Sequence, residues 1–166
     1  MTRKKVLIVM GSDSDLPVMQ DTAGVLDKFG VEYDMHIASA HRTPDKVAEM
    51  ASAARGGGFG VIISGAGMAA HLGGVIASHT ILPVIGVPLH SGTLGGLDAM
   101  LATVQMPRGV PVATVGIGKA GAYNAGLLAV AILAQGNEDL TAALENFRAE
   151  LAKGVEEKDA ALQRKK

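Results

Sequence analysis

The chain has 166 residues, 48% of them hydrophobic and 19% charged, with a formal net charge of −1 and no cysteine. This length favours one domain with a sizeable core, and the balanced charge argues against a nucleic-acid or anionic-membrane surface. There is no thiol for a disulfide or a thiolate metal site, and no apolar run reaches the ~18 residues of a membrane-spanning helix. We therefore expect residues 1–166 to form a single domain of a soluble, cytoplasmic protein.

The first half of the chain alternates strand and helix patterns. Residues 6–10 form a continuous apolar run, which is typical of a strand buried on both faces, and an amphipathic helix pattern follows over 16–29. A second strand is predicted over 33–38, a helix over 45–55 and a third strand over 61–63.

The second half continues the alternation. Residues 84–87 and 112–117 predict the fourth and fifth strands, with a short helix over 97–104 between them. Residues 122–134 form a helix pattern almost without charge, which predicts burial, and in so small a protein we expect it to pack against another subunit. An amphipathic helix over 139–166 carries an apolar stripe that packs either on its own domain or on a neighbouring subunit.

Five strands that alternate with helices predict an α/β fold with a doubly wound parallel sheet. We expect the flavodoxin-like strand order 2-1-3-4-5, in which ligands bind outside the carboxyl ends of the strands where the order reverses. In that order the loops after strands one and three lie at the binding crevice, and the turn after strand two lies beside them.

The turn after the second strand carries the most distinctive side chains. Ser39-Ala40-His41-Arg42-Thr43-Pro44 leads into a helix, with Pro44 at a first helical position and Thr43 as the predicted N-cap. An imidazole next to a guanidinium is a base beside an anion anchor, which favours chemistry on a phosphorylated small molecule. The structural alternative is that His41 caps the helix and Arg42 is a solvated charge.

Two further loops give weaker signals. Gly11-Ser12-Asp13-Ser14-Asp15 ends the first strand, and its hydroxyls either hold a phosphate or sugar or cap the next helix; Asp15 as the cap and Ser12 as a ligand contact are compatible. Gly65-Ala66-Gly67 follows the third strand and permits backbone N–H groups to face a ligand closely. Ser64-Gly65 stands where a receiver domain needs its phosphoacceptor aspartate, and the loops lack aromatic groups to stack on a flavin, so both non-enzymatic functions are disfavoured.

Together these motifs resemble a known enzyme family, the class I N5-carboxyaminoimidazole ribonucleotide mutases of bacterial purine biosynthesis. The resemblance extends over most of the chain from Lys5 to Ala134, and the joint occurrence of its motifs is highly specific. The motifs occur in the family's order: Met10 to Asp15, Ser39 to Pro44, Gly65-Ala66-Gly67 with Ala69-Ala70-His71-Leu72, Gln105-Met106-Pro107-Arg108-Gly109 and Gly118-Lys119-Ala120.

The resemblance implies a three-layer α/β/α subunit in a homo-octamer whose active sites use loops from more than one subunit. It implies that His41 is catalytic and that Ser12, Asp15 and Arg42 contact the phosphate and ribose. The residues expected to line the rest of the pocket are Ser39, Gly65, Ala66, Gly67, His71 and Leu72. His71 is either a second polar contact to the substrate carboxylate or a residue satisfied locally at a helix start.

Two positions depart from the family pattern, which usually has glycine where this chain has Met68 and proline where it has Gly73. We expect Met68 to add bulk beside the pocket and Gly73 to loosen the start of the following helix. The animal-type carboxylases of the same superfamily have lysine in place of Arg42 and an Arg-Ser-Asn element near Met68, so the chain resembles the mutase branch.

The reaction implied by the resemblance moves a carboxylate from N5 to C4 of a small-molecule substrate, N5-carboxyaminoimidazole ribonucleotide. One imidazole serves both proton transfers, since its ordinary pKa lies near neutrality. No metal, ATP or organic cofactor is implied. A carboxylase that adds free CO2 to the unmodified aminoimidazole ribonucleotide would use the same histidine and stays open as an alternative.

Overall fold

The computed structural model describes residues 4–164. Its five strands are β1 (Lys5–Met10), β2 (Tyr33–Ile37), β3 (Phe59–Gly67), β4 (Val84–Leu89) and β5 (Ala113–Thr114). They form one sheet in the order β2-β1-β3-β4-β5, and every neighbouring pair is parallel. The predicted strand order is confirmed.

The structure has six helices, of which the first four connect the strands and the last two follow β5: α1 (Leu16–Lys28), α2 (Pro44–Ala54), α3 (Leu72–Ser78), α4 (Leu97–Val104), α5 (Gly118–Leu133) and α6 (Glu138–Gln163). Alternate residues of β1 point to opposite cores. Val6 and Ile8 pack with α1 and α5 on one face, whereas Leu7 and Val9 pack with α2 and α3 on the other. This is the expected three-layer α/β/α architecture, and burial on both faces explains the continuous apolar run of β1.

Two strands differ in length from the prediction. β3 continues through residues 64–67, predicted as a loop, because these residues pair in register with residues 86–89 of β4. β5 covers only Ala113 and Thr114, against the predicted 112–117, because its pairing with β4 at the sheet edge is limited to these two residues. The extension of β3 carries the glycines of the predicted site into the sheet itself.

Helix α5 is buried largely inside its own subunit. A Cβ on Gly126 would lie 2.8 Å from Cβ of Val25, so this glycine permits the close approach of α1 and α5. The expectation that the uncharged helix packs against another subunit is therefore wrong for its small-residue face, which is formed by Gly121, Ala122, Ala125, Gly126 and Ala129.

The C-terminal helix α6 packs on its own subunit only along its first half. Phe147 is buried, with its ring edge-on to Phe29 and the ring centroids 5.7 Å apart. Farther along, three apolar side chains are 56%, 67% and 59% exposed: Leu151, Val155 and Leu162. Neither α6 nor any other helix within residues 4–164 is long and apolar enough to cross a membrane.

Candidate active site

Three loops meet at the carboxyl edge of the sheet, and contacts between their residues define a candidate active site. The loops follow β1, β2 and β3, and β1 lies between the other two strands. Arg42, after β2, donates from Nη2 to the carbonyl oxygen of Gly11, after β1, at 2.9 Å. Nε2 of His41, after β2, lies 2.8 Å from Nδ1 of His71, after β3. These two contacts join all three loops.

Hydrogen bonds within the turn after β2 fix the positions of His41 and Arg42. The Ser39 hydroxyl accepts from the backbone N–H groups of His41 and Arg42 at 3.3 and 3.2 Å. Thr43 has the predicted N-cap position of α2, but its hydroxyl does not cap the helix. Instead it accepts from the Ser39 N–H at 2.9 Å and donates to the Ser39 carbonyl at 3.1 Å. Ser39 and Thr43 therefore hold the turn closed, with the imidazole and the guanidinium exposed.

Ser12 and Asp15 form a reciprocal capping arrangement around a short 3₁₀ turn at Asp13–Asp15. The Ser12 hydroxyl accepts from the N–H of Ser14 at 3.4 Å, and the Asp15 carboxylate accepts from the N–H of Ser12 at 2.9 Å. Asp15 is also the N-cap residue of α1, but its side chain makes no capping hydrogen bond to that helix, so the predicted cap acts on the 3₁₀ turn instead. Since both residues remain partly exposed, capping leaves them accessible to a ligand.

Burial raises the pKa of the Asp15 carboxyl above its ordinary value of 3.8. The N–H groups of Ser12 and Gly11 and the charge of Arg42 act in the opposite direction, while Asp13 adds to the rise. The net direction is upward because loss of water around the carboxylate outweighs its hydrogen bonds. A ligand hydroxyl that donates to Asp15 would stabilise the charged form, so this position suits a sugar better than a phosphate.

The predicted glycine loop of the site is the end of strand β3, where the glycines make room for protein side chains. A Cβ on Gly65 would overlap the sulfur of Met19, and a Cβ on Gly67 would overlap Oγ of Ser91. Gly65 is buried, while Ala66 and Gly67 are half-buried. The small size of Gly65 and Gly67 is therefore explained by packing within the chain.

The segment between β3 and α3 has an unusual backbone. Met68 and Ala70 have φ angles of 54° and 32°, in the region that favours glycine. Met68, which stands where the family usually has glycine, is 62% exposed. Leu72, expected to line the pocket, is 2% exposed and belongs to the core shared with α2. Leu72 therefore supports this segment from behind.

The second departure, Gly73, lies in the first turn of a formed helix. α3 begins at Leu72, and the N–H of Val75 donates to the carbonyl of His71 at 3.0 Å. A Cβ on Gly73 would lie 2.9 Å from Oγ of Ser64. The Ser64 hydroxyl thus occupies space that a side chain at position 73 would need.

The side chain of His71 contacts His41, which neither interpretation of His71 included. The ring centroids are 5.0 Å apart and the ring planes are inclined by 75°. His71 is the N-cap residue of α3, yet its side chain makes no capping hydrogen bond. Its ring lies against His41 instead. This pair was not predicted from the sequence. The sequence feature that indicates it is that each histidine follows a strand adjacent to β1 in the sheet.

The site combines groups suited to acid–base chemistry on a phosphorylated ligand. Imidazoles exchange protons near neutral pH, and Arg42 has donors beyond the one used on Gly11. Lys119 is an exposed residue of the first turn of α5. Within residues 4–164, no group of three or more His, Asp or Glu side chains is arranged to hold a metal ion. The fold is a doubly wound α/β sheet, and the candidate acid–base site lies at its carboxyl edge.

Comparison with known proteins gives the family. Residues 5–154 match the family model described as AIR carboxylase. The chain is 54% identical over 151 residues to the N5-carboxyaminoimidazole ribonucleotide mutase of Vibrio vulnificus, covering 91% of this chain and 94% of that protein. It is 53% identical over 162 residues to the protein of the same name from Mycobacterium tuberculosis, covering 98% and 92%. The crystal structure of Treponema denticola PurE matches with a TM-score of 0.86 at 28% identity, covering 96% and 99%. The chain belongs to the AIR carboxylase family.

Proposed function

We propose that this chain moves a carboxylate from N5 to C4 of N5-carboxyaminoimidazole ribonucleotide, which gives 4-carboxy-5-aminoimidazole ribonucleotide in purine biosynthesis. The observation that carries the proposal is the turn after β2, where His41 and Arg42 reach the loops after β3 and β1. Identities of 54% and 53% to relatives named as mutases support the mutase reaction over the carboxylase reaction.

His41 is the proposed acid and base. A carbamate loses CO2 when its nitrogen is protonated, so a proton from His41 to N5 breaks the bond between N5 and the carboxylate. C4 of the electron-rich ring then forms a bond to the released CO2. Neutral His41 removes the C4 proton, and the ring regains its aromaticity. One proton is delivered at N5 and recovered at C4, so the reaction balances without a metal, ATP or an organic cofactor.

Retention of CO2 near C4 is the second proposed contribution to catalysis. A reactant that never leaves the site reacts as if it were at very high local concentration. Residues 65–70 are small apart from Met68. Small residues let this segment form a pocket wall in close contact with the substrate. We assign Ala66 and Gly67 to that wall, with the buried residues Gly65 and Leu72 shaping it from behind.

The phosphoribose is held by the loops after β1 and β2. Arg42 supplies guanidinium donors to the phosphate, assisted by the Ser12 hydroxyl. Asp15 accepts from a ribose hydroxyl, in keeping with the upward direction of its pKa. Ser39 keeps the turn in place, and His71 lies next to His41 at the carboxylate end of the substrate.

We also propose that the chain works in the cytoplasm as a homo-octamer in which neighbouring copies complete each site. Leu97, Leu101 and Val104 lie on one face of α4 and are 53%, 46% and 48% exposed. A contiguous apolar face of this kind is typical of a protein interface. The exposed stripe of α6 that begins at Leu151 is a second such face. A second copy of the chain is the occupant that we assign to both.

The proposed reaction is tested by following a labelled carboxylate. The protein receives N5-carboxyaminoimidazole ribonucleotide with ¹³C in the carboxylate, in buffer with unlabelled bicarbonate, and mass spectrometry measures the label in the C4-carboxylated product. A mutase retains the label because CO2 stays in the site. Loss of the label, with product also formed from aminoimidazole ribonucleotide and bicarbonate, would favour the carboxylase. No conversion above a protein-free control would overturn both.

A further inference from the structure

The two imidazoles of the site meet through particular nitrogens. Nε2 of His41 lies 2.8 Å from Nδ1 of His71, a hydrogen-bond distance. The backbone of His41 is held by the Ser39 hydroxyl, and His71 is held as the N-cap residue of α3. The backbones that carry the two rings are therefore held by the turn after β2 and by the start of α3.

This geometry leaves one nitrogen of each ring for other partners. A hydrogen bond between two imidazoles needs a proton on one nitrogen and a lone pair on the other. Because His41 meets His71 through Nε2, the nitrogen left for a ligand is Nδ1. A neutral imidazole carries a proton on only one nitrogen. Whether His41 can donate or accept at Nδ1 thus depends on which ring holds the bridging proton.

We propose that His71 is a positioning residue that supplies and recovers the proton that His41 exchanges with the substrate. The inference rests on the proposed function and deepens it. The reactive form in this proposal is the one in which the pair carries one positive charge. His71 holds a proton on each nitrogen, and His41 holds one on Nδ1. The proton on Nδ1 of His71 is donated to the bare Nε2 of His41.

Each step then shifts two protons. Nδ1 of His41 gives its proton to N5 while Nε2 takes the bridging proton from His71, and the bond between N5 and the carboxylate breaks. Once C4 has bonded to CO2, the C4 proton moves to Nδ1 of His41 and the Nε2 proton returns to His71. The pair ends with the protons it began with, and His41 is neutral before and after each step.

Two variants at position 71 separate proton supply from mere support. His71→Asn places an amide near the position of Nδ1, where it can hydrogen-bond His41 but cannot pass on a proton; His71→Ala removes both capacities. We expect both variants to lose on the order of 10²-fold in kcat with little change in KM, and added imidazole to restore turnover to His71→Ala. In mixtures of H2O and D2O, kcat of the parent should depend non-linearly on the fraction of D2O, because two protons move in one step. For His71→Asn the dependence should be linear, because one proton moves.

The outcomes distinguish the relay from the proposed function. If the parent isomerises the ribonucleotide and His71→Asn has the same kcat and the same dependence of kcat on the D2O fraction, the relay is overturned, while His41 stays the acid and base. A second measurement needs no substrate: with ¹⁵N-labelled histidine, the His41 nitrogen shifts should report a changed tautomer balance in His71→Ala, which removes the bridging partner, and unchanged shifts would overturn the coupling. Changed shifts in a protein that converts no substrate would instead overturn the proposed function, and the relay chemistry with it.

Discussion

The packing between Gly73 and Ser64 decides how α3, which carries His71 at its start, fits against the sheet. Ser64 is 2% exposed, and its hydroxyl donates to the carbonyl of Ile85 at a long 3.4 Å. A methyl group added at Gly73 would lie 2.9 Å from that hydroxyl oxygen and 3.4 Å from Cγ1 of Val112. We predict that Gly73→Ala destabilises the protein and that Ser64→Ala reverses the sign of this effect.

Two opposing contributions set the magnitude. Alanine is more favourable than glycine in a helix by about 1 kcal/mol. Overpacking a buried site costs about 1–3 kcal/mol. The new methyl group would have one close contact, to the Ser64 oxygen, and an ordinary contact to Val112, so we estimate a cost of about 1.5–2 kcal/mol for Gly73→Ala. Gly73→Ala should therefore lower the free energy of unfolding by about 0.5–1 kcal/mol. In the Ser64→Ala background only the helix gain remains, so the coupling between the two positions should be about 1.5–2 kcal/mol.

The assay is urea unfolding of the parent, both single variants and the double variant. Far-UV circular dichroism is the signal, because the chain has no tryptophan. Protomer concentration is kept constant, since assembly contributes to apparent stability. Equal stabilisation by Gly73→Ala in both backgrounds would mean that the Ser64 hydroxyl rotates aside, and would refute the steric reasoning.

Three further changes test the proposed binding and assembly. Arg42→Ala should weaken ribonucleotide binding by about 10- to 150-fold, as expected for charge-assisted hydrogen bonds, and leave nucleoside binding nearly unchanged in calorimetry; equal losses would remove Arg42 as the phosphate anchor. Because burial raises the Asp15 pKa, the parent loses stability as pH rises from 3.8 through the raised value. The free energy of unfolding of Asp15→Asn in urea should therefore rise relative to that of the parent between pH 3 and pH 7. A difference that stays constant over this range would contradict the reasoning. Leu101→Glu, on the exposed face of α4, should shift sedimentation towards smaller species; an unchanged profile would exclude that face from the interface.

The sheet could be predicted because hydrophobic periodicity reports burial. The run at β1 and the helix signals between strands were enough for a parallel sheet, and the order β2-β1-β3-β4-β5 was expected because it is a common order of doubly wound folds. Periodicity does not report pairing, however. Residues 64–67 look like a loop in sequence, and only their register with β4 makes them strand. In the same way, the composition of α5 predicts burial but does not say that α1 and the sheet cover it.

The candidate site was predictable one loop at a time. His41 and Arg42 stand out because a base and an anion anchor share one strand-to-helix turn. Their partners could not be predicted, since these depend on how far each loop reaches across β1. The carbonyl of Gly11 and the ring of His71 are contacts of this kind. The fit of Ser91 over Gly67 likewise depends on the path of the loop after β4.

His41→Asn tests most directly whether His41 exchanges the proton. The amide is of similar polarity and size but cannot take up or release a proton at neutral pH. Isomerisation of N5-carboxyaminoimidazole ribonucleotide should fall by about 10²–10⁴-fold or more, because one residue serves two transfers. Affinity measured by calorimetry on the same variant should be nearly unchanged, since the proposed contacts to the phosphoribose are Ser12, Asp15 and Arg42. Turnover close to that of the parent would remove His41 from the mechanism, and lost affinity with normal turnover at saturation would make it a binding residue only.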